Sequence, residues 1–365
     1  MTLLSELINE KKRILVTGGA GFIGSALIRR LLLETDSSIF NLDKLSYCSD
    51  LFSINKIINQ QEGFNERYKF LKVDLTNSLL TEKAIKDADP DLIFHLAAES
   101  HVDRSIDDPI CFINNNVIGT SNILNAGLKH FRNLNSKRKE SFRFLHISTD
   151  EVFGTLGETG RFTESTKYDP RSPYSASKAA SDHIALAWHH TFNLPVIITN
   201  CSNNFGPWQF PEKLIPVTIL KAIENEPIPI YGDGRNIRDW LYVDDHIDGL
   251  VLAIINGKLG KCYCIGGHGE KNNLEIVNTI CNYLDDKRPK NVSYSSQIKF
   301  VKDRPGHDKR YSIDSSLITR ELKWKPNYGF TDAIHMTTQW YLENIDWCNK
   351  VKKNSGYKGQ RLGLG

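Results

Sequence analysis

The stretch "RILVTGGAGFIGSALIRRLLLE", residues 13–34, limits the possible folds more than any other. A short apolar run, Ile14 to Val16, meets spaced glycines and then continues with apolar residues at helical period. This reads as a buried strand, a tight turn and an amphipathic helix. Gly18, Gly21 and Gly24 carry no Cβ, so the backbone can turn sharply and another molecule can come close. The N–H groups that open the helix then point at whatever lies there, and they favour an anion such as a pyrophosphate.

The pattern repeats. "SIFNLDK", "RYKFLKVDLT", "DLIFHLAA", "FRFLHIST" and "PVIITNCS" read as further strands with helical segments between them. Continuously apolar strands alternating with helices imply a parallel sheet covered on both faces. The fold class expected is therefore α/β, a Rossmann-type doubly wound parallel sheet, with a smaller α/β lobe toward the C-terminus. The rhythm stops near residue 204, where Pro207, Pro211, Pro216, Pro227 and Pro229 cluster. This divides the chain into a dinucleotide-binding domain, residues 12–203 with a returning segment at about 237–266, and a second lobe, residues 204–236 and 267–346. Residues 347–365 read as a basic, solvated tail.

Asp43 ends the second strand, nineteen residues after Gly24. A carboxylate at this spacing accepts hydrogen bonds from an adenosine ribose and repels a 2′-phosphate. The expected cofactor is NAD rather than NADP, with Lys44 as the one neighbour that leans the other way. Asp74-Leu75, after the third strand, suit an adenine, although Asp74 serves equally well as a helix N-cap. Leu96 to Ser100 end the fourth strand, where ligands of open α/β sheets collect.

Two stretches carry chemistry. In "YSASK", Tyr174 and Lys178 are i and i+4 on a helix and share a face. A free tyrosine has a pKa near ~10. A cation beside it lowers that value and makes Tyr174 a base for an alcohol proton as hydride leaves the carbon. Thr149 can bond the same oxygen. In "HISTDEVFG", Asp150 and Glu151 follow Thr149 directly. Neighbouring strand residues face opposite sides, so for both acids to reach one substrate the chain must leave strand geometry at about Asp150. Two adjacent carboxyls separate their pKa values, leaving one as acid and one as base.

These stretches resemble the extended short-chain dehydrogenase/reductase family, and within it the nucleotide-sugar 4,6-dehydratases. "TGGAGFIGSA", "NLDKLSY", "LAAESHVDRSI", "STDEVFG", "YSASKAASDH", "CSNNFGPWQFPEKLIP", "PIYGDGRNIRDWLYVDDH", "IGGHGEKNN" and "DRPGHDKRY" carry the resemblance over residues 13–346. It implies a lyase of deoxysugar (rhamnose-type) synthesis that oxidises a hexose at C4, removes water across C5–C6 and returns the hydride to C6. The sugar carrier implied is dTDP, with UDP as the alternative. Thr149, Asp150, Glu151, Tyr174 and Lys178 would be catalytic, with Glu151 taking the C5 proton and Asp150 protonating the C6 oxygen. NAD, tightly bound and recycled, would be held by Gly18, Gly21, Phe22, Ile23, Gly24, Asp43, Lys44, Leu45, Ser46, Asp74, Leu75, Leu96, Ala97, Ala98, Ser100, Asn115, Tyr174, Lys178 and Asn204. The sugar nucleotide would meet Ser100, Thr149, Asn203, Lys213, Leu214, Pro229, Ile230, Tyr231, Arg238, Asn273, Asp303, Arg304 and His307. The family also implies a homodimer. Phe153 and Phe205 stand where many relatives carry Tyr, and Asn115 where many carry Thr.

A 4-epimerase or decarboxylase of the wider family would share the glycine turn and the Tyr/Lys pair but has no use for both acids. A binding protein that only senses NAD has no use for Thr149, Tyr174 and Lys178. Composition narrows the field further. The net charge of +3 on 365 residues gives no basis for a nucleic-acid partner. "MTLLSELINEKK" lacks the apolar core of a secretory signal, and no apolar window spans a membrane. Seven cysteines at irregular spacing suit a reduced, cytoplasmic setting and no metal site.

Overall fold

A computed structural model describes residues 2–8, 10–303 and 306–357. Six strands alternate with helices through the first two hundred residues: β1 (Arg13–Thr17), β2 (Ser38–Asp43), β3 (Tyr68–Lys72), β4 (Leu92–His95), β5 (Arg143–Thr149) and β6 (Val196–Cys201). All pair in parallel. Three short strands follow, β7 (Asn203–Phe205), β8 (Ile228–Tyr231) and β9 (Ile237–Tyr242). Then β10 (Cys262–Ile265) joins β6, giving a seven-stranded sheet ordered β10-β6-β5-β4-β1-β2-β3. The chain runs outward from β1 through β2 to β3, then crosses to β4 on the other side of β1. Such a switch point leaves a crevice at the strands' carboxyl ends, where ligands of open α/β sheets bind.

The apolar runs of the strands explain both faces of this sheet. Ile14 and Val16 pack with the helices Phe22–Glu34 and Val243–Asn256. Leu15, between them, packs with the helices Ser78–Ala88 and Gly119–Asn133 on the opposite face. Side chains alternate along a strand, so burial on both faces requires an unbroken apolar run. Each fully buried aliphatic side chain contributes about 1.5–3 kcal/mol.

The second lobe has its own core, built from Phe205, Ile219, Ile230, Trp240, Ile276, Ile280 and Tyr341 among others. It holds two small sheets. β9 pairs with β7 and with β11 (Glu270–Asn272), while β8 pairs with β12 (Ile298–Val301). The returning segment therefore enters the main sheet only at β10, and β9 belongs with the small sheets.

The tail differs from its sequence reading. Ile345–Ser355 is a helix, and Trp347, Cys348, Val351 and Tyr357 are buried in the second core. Its lysines face outward while one apolar stripe docks. Residues 358–365 of the expected tail lie outside the described residues. Among the described residues, no helix is long and apolar enough to cross a membrane, and no cluster of metal-ligating side chains occurs.

Candidate active site

The carboxyl ends of β1, β2, β4, β5 and β6 open on one cleft of about 750 Å³, and the second lobe forms its far wall. At the β1 end the turn is shaped by glycine. Gly18 has φ +69°, and a Cβ there would lie 2.7 Å from the backbone of Ala97. A Cβ on Gly24 would lie 2.3 Å from Gly18 O, so the helix packs directly on the turn. Gly21 differs. It caps the helix at φ −80°, and a Cβ on it would meet a single protein atom, Gly18 O at 3.3 Å. Its missing side chain leaves room in the cleft rather than in the protein's packing.

Asp43 is buried at the end of β2. Its Oδ2 accepts from Ala20 N–H at 3.1 Å and its Oδ1 from Leu45 N–H at 2.8 Å. Burial pushes its carboxyl up, and the two N–H groups pull against this. Beyond these two N–H groups and a Ser49 hydroxyl, the carboxylate keeps acceptor capacity for a ligand's hydroxyl donor. Lys44 is not a free cation for a phosphate: its Nζ lies 3.0 Å from Glu99 Oε1 and 2.6 Å from Asn115 Oδ1. An open Gly21 cradle and an acceptor at Asp43, with Lys44 engaged, fit a dinucleotide with free ribose hydroxyls. Asp74 is not a helix N-cap. It closes a turn on Thr76, and Asn77 caps the following helix.

Beyond β4, a π-helical segment, Ile113–Ile118, precedes the helix Gly119–Asn133. π segments recur at functional sites. This one turns the Asn116 amide onto the cleft's supports. Its Oδ1 accepts from Glu99 N–H at 2.8 Å, and its Nδ2 donates to Glu99 O at 3.0 Å and Ser177 Oγ at 2.8 Å.

β5 ends at Thr149, and the chain leaves strand geometry at Asp150, forming a 3-10 turn over Asp150–Phe153. Glu151 lines the cleft, whereas Asp150 is 1 % exposed behind it. Thr149 Oγ1 donates to Asp150 Oδ1 at 3.4 Å, and Asp150 Oδ2 is buried with no hydrogen-bond partner. Burial first, then the charges of Glu151 and Asp239, hold the Asp150 carboxyl well above the usual range. A proton on Asp150 is the consequence.

Tyr174 and Lys178 come from the helix Pro173–Phe192, which Ser172 opens with a capping box and Pro173 at the first turn. Both are buried and line the cleft. The expected fall in the Tyr174 pKa is not what the protein alone produces. Burial and then Glu151 push it well above 10, with the Thr149 hydroxyl opposing. Lys178 gives one of its three N–H donors to Ile147 O at 2.8 Å.

On the far wall stand Asn203, Lys213, Leu214, Pro229, Ile230, Tyr231, Arg238, Asn273 and His307, with Asn204 and Ser100 nearer the sheet. Lys213 Nζ donates to Ser100 O at 3.0 Å, Tyr231 OH to Asp103 Oδ2 at 3.3 Å, and His307 Nδ1 lies 2.6 Å from Asp303 Oδ1. Arg238 donates to the carbonyls of Ile237 and Asp308 and lies 4.2 Å over the Tyr311 ring. Phe22, Ile23, Ser46, Leu75, Leu96, Ala97 and Ala98 also line the cleft. Leu45, Asp150 and Asp303 do not, and Arg304 lies outside the described residues.

Among the cleft residues that escaped sequence reasoning, two are notable for their partners. Tyr311 is buried, hydrogen-bonded to Asp308 and placed where the Glu151 charge acts on it. Glu212 accepts from Tyr47 OH at 2.8 Å and Arg104 Nε at 3.1 Å, tying the loop after β2 to the second lobe. No pattern in the sequence signals either contact, because each partner comes from a distant segment.

Comparison with known proteins places the chain in a family. The family model described as GDP-mannose 4,6 dehydratase matches residues 15–337. The dTDP-glucose 4,6-dehydratase of Salmonella typhimurium is 49% identical over 352 residues, which is 94% of this chain and 96% of the relative. The solved dTDP-glucose 4,6-dehydratase of Bacillus anthracis, in complex with NAD, is 40% identical with a TM-score of 0.80, covering 93% of this chain and 99% of that one. That of Streptomyces venezuelae, also with NAD bound, is 38% identical with a TM-score of 0.83 and the same coverage. With this identity over nearly the full length, the chain belongs to the nucleotide-sugar 4,6-dehydratases, in the dTDP-glucose 4,6-dehydratase family.

Proposed function

We propose that the chain dehydrates dTDP-glucose to the 4-keto-6-deoxy sugar, with NAD held and recycled in the cleft. The observation that carries this reading is the pair at the end of β5: a buried Asp150 whose Oδ2 lacks a partner, beside a Glu151 that reaches the cleft. NAD, when bound, takes hydride from C4 and returns it to C6. Everything else falls to the chain's own residues. Tyr174 takes the proton of the C4 hydroxyl, and Thr149 bonds the same oxygen. The ketone at C4 acidifies the C5 hydrogen, which Glu151 removes. Asp150, kept protonated by burial, gives its proton to the C6 oxygen, and water leaves; as C6 regains hydride, Glu151 returns to C5 a proton that has exchanged with solvent. Proton transfer by a positioned side chain contributes typically about 10²–10⁴-fold.

Gly18, Gly21, Gly24 and Asp43 would hold the dinucleotide, with Phe22, Ile23, Ser46, Asp74, Leu75, Ala97, Ala98, Asn115 and Asn204 around it. Lys213 and Arg238 supply positive charge for the diphosphate, and a guanidinium can do so with a two-pronged fork. Tyr231 offers an aromatic face to the base, and Asn273 and His307 stand beside it in the cleft. Exposed Ile110, Ile113 and Ile118 support a homodimer through this segment.

The carrier is tested by comparing kcat/KM for dTDP-glucose, UDP-glucose and GDP-mannose. One methyl in a fitted pocket is worth about 10–200-fold. dTDP-glucose should therefore exceed UDP-glucose by at least tenfold, roughly the lower bound of that range. Equal values would overturn the thymidine assignment.

A further inference from the structure

Behind the Tyr174/Lys178 pair, and outside the cleft, lies a buried polar network centred on Asp182, which is 0 % exposed. Asp182 follows Lys178 by one helical turn, on the same face. Its Oδ1 lies 3.0 Å from His146 Nε2. Its Oδ2 accepts from Ser148 Oγ at 2.8 Å, Tyr168 OH at 2.9 Å and Asn200 Nδ2 at 3.4 Å. Asn200 Nδ2 also donates to Thr149 O at 3.0 Å. The carboxylate therefore grips the last two residues of β5, one directly and one through Asn200.

We propose that Asp182 is a positioning residue for the oxidation step, fixing the end of β5 that presents Thr149 and standing as the buried counter-charge one helical turn from Lys178. This rests on the reading of Tyr174 as the base of that step.

The surroundings leave the role to Asp182. Burial lowers the Lys178 pKa, and of the groups that oppose it Asp182 acts most strongly. The other, Cys201 from β6, is a thiol that burial pushes up to about 12. His146 from β5 is kept neutral by burial, and His95 from β4, its neighbour in the ring stack, is neutral for the same reason. Cys262 from β10 is a buried thiol held well above its usual range, and Tyr168 is likewise pushed up by burial. His183 lies against the far side of the Tyr168 ring. Asp182 itself is held below the ordinary carboxylate range: burial alone would raise it, but its hydrogen bonds, that to His146 first, and the charge of Lys178 prevail. An ammonium buried without a counter-charge loses its proton.

Asp182→Asn removes the charge and keeps the shape. Its amide oxygen can accept from Ser148 and Tyr168, and its NH₂ can donate to a neutral His146 in the other tautomer. The measurement is the single-turnover rate at which dTDP-glucose reduces bound NAD, followed from neutral to alkaline pH. Wild type must show that reduction; its absence would defeat the reading of Tyr174 rather than this inference. With the charge gone, the alkaline limb should move down by about 1–3 pH units. A uniform fall in rate with the limb unmoved would mean Asp182 is scaffold only and overturn the proposal. Asp182→Glu, which keeps the charge, should retain the wild-type limb whatever its rate. If Asp182→Asn yields no folded protein, Asp182→Ser, which also removes the charge and keeps a hydrogen-bonding hydroxyl, takes its place: a limb moved down upholds the proposal, and a lower rate with the limb unmoved overturns it.

Discussion

Asp150 and Glu151 are adjacent in sequence and unlike in surroundings. The 3-10 turn buries the first and leaves the second on the cleft. On the proposed reading, this difference in environment assigns the roles of acid and base within one dipeptide, as expected where two carboxyls share a site. Glu151→Gln should still reduce bound NAD on adding dTDP-glucose, yet form product about 10²–10⁴-fold more slowly. Stopped-flow absorbance read beside product analysis checks this, and normal turnover would remove Glu151 from its role. Asp150 carries a consequence for stability. Its carboxyl is raised in the fold, so the native state keeps a proton that the unfolded chain gives up near pH ~3.9. The stability contributed by this group is complete below that pH and is lost as pH rises through the folded value. Asp150→Asn avoids the loss. Its thermal midpoint should gain on wild type steadily from acid to neutral pH, and a pH-independent gap by calorimetry would contradict the assignment.

Among the elements, the glycine turn separates folding from binding. Gly18 has a left-handed φ and no space for a Cβ, so Gly18→Ala should cost more than about 1 kcal/mol in denaturant unfolding. Gly21 has an ordinary φ and one close neighbour, so Gly21→Ala should stay within about 0.5 kcal/mol while NAD content per purified chain falls sharply. Equal NAD content in Gly21→Ala and wild type would contradict the cradle. The strands and this turn were legible because apolar runs and glycine spacing are local. The π segment at Ile113–Ile118 was not, since its extra residue is fixed by Asn116 bonding to Glu99 and Ser177. The break at Asp150 was legible for a geometric reason: strand alternation could not bring both acids to one sugar.

At the scale of the whole molecule, the sheet domain and the second lobe meet across the cleft, and Glu212 joins them through Tyr47 and Arg104. That junction was illegible because three distant segments make it. The final helix was misread for another reason. Its lysines dominate the composition, while Trp347, Cys348 and Val351 form a docking stripe that appears only once the second core exists to receive it. The upward push of burial on Tyr174 was illegible, because sequence shows the nearby lysine but not the depth of burial. The central claim is that this oxidoreductase fold uses a transient ketone to expel water. Incubation with dTDP-glucose in deuterated water, followed by product analysis, tests it most directly. The account predicts a 4-keto-6-deoxy sugar carrying solvent deuterium at C5; a C4 epimer with no deuterium at C5 would contradict it.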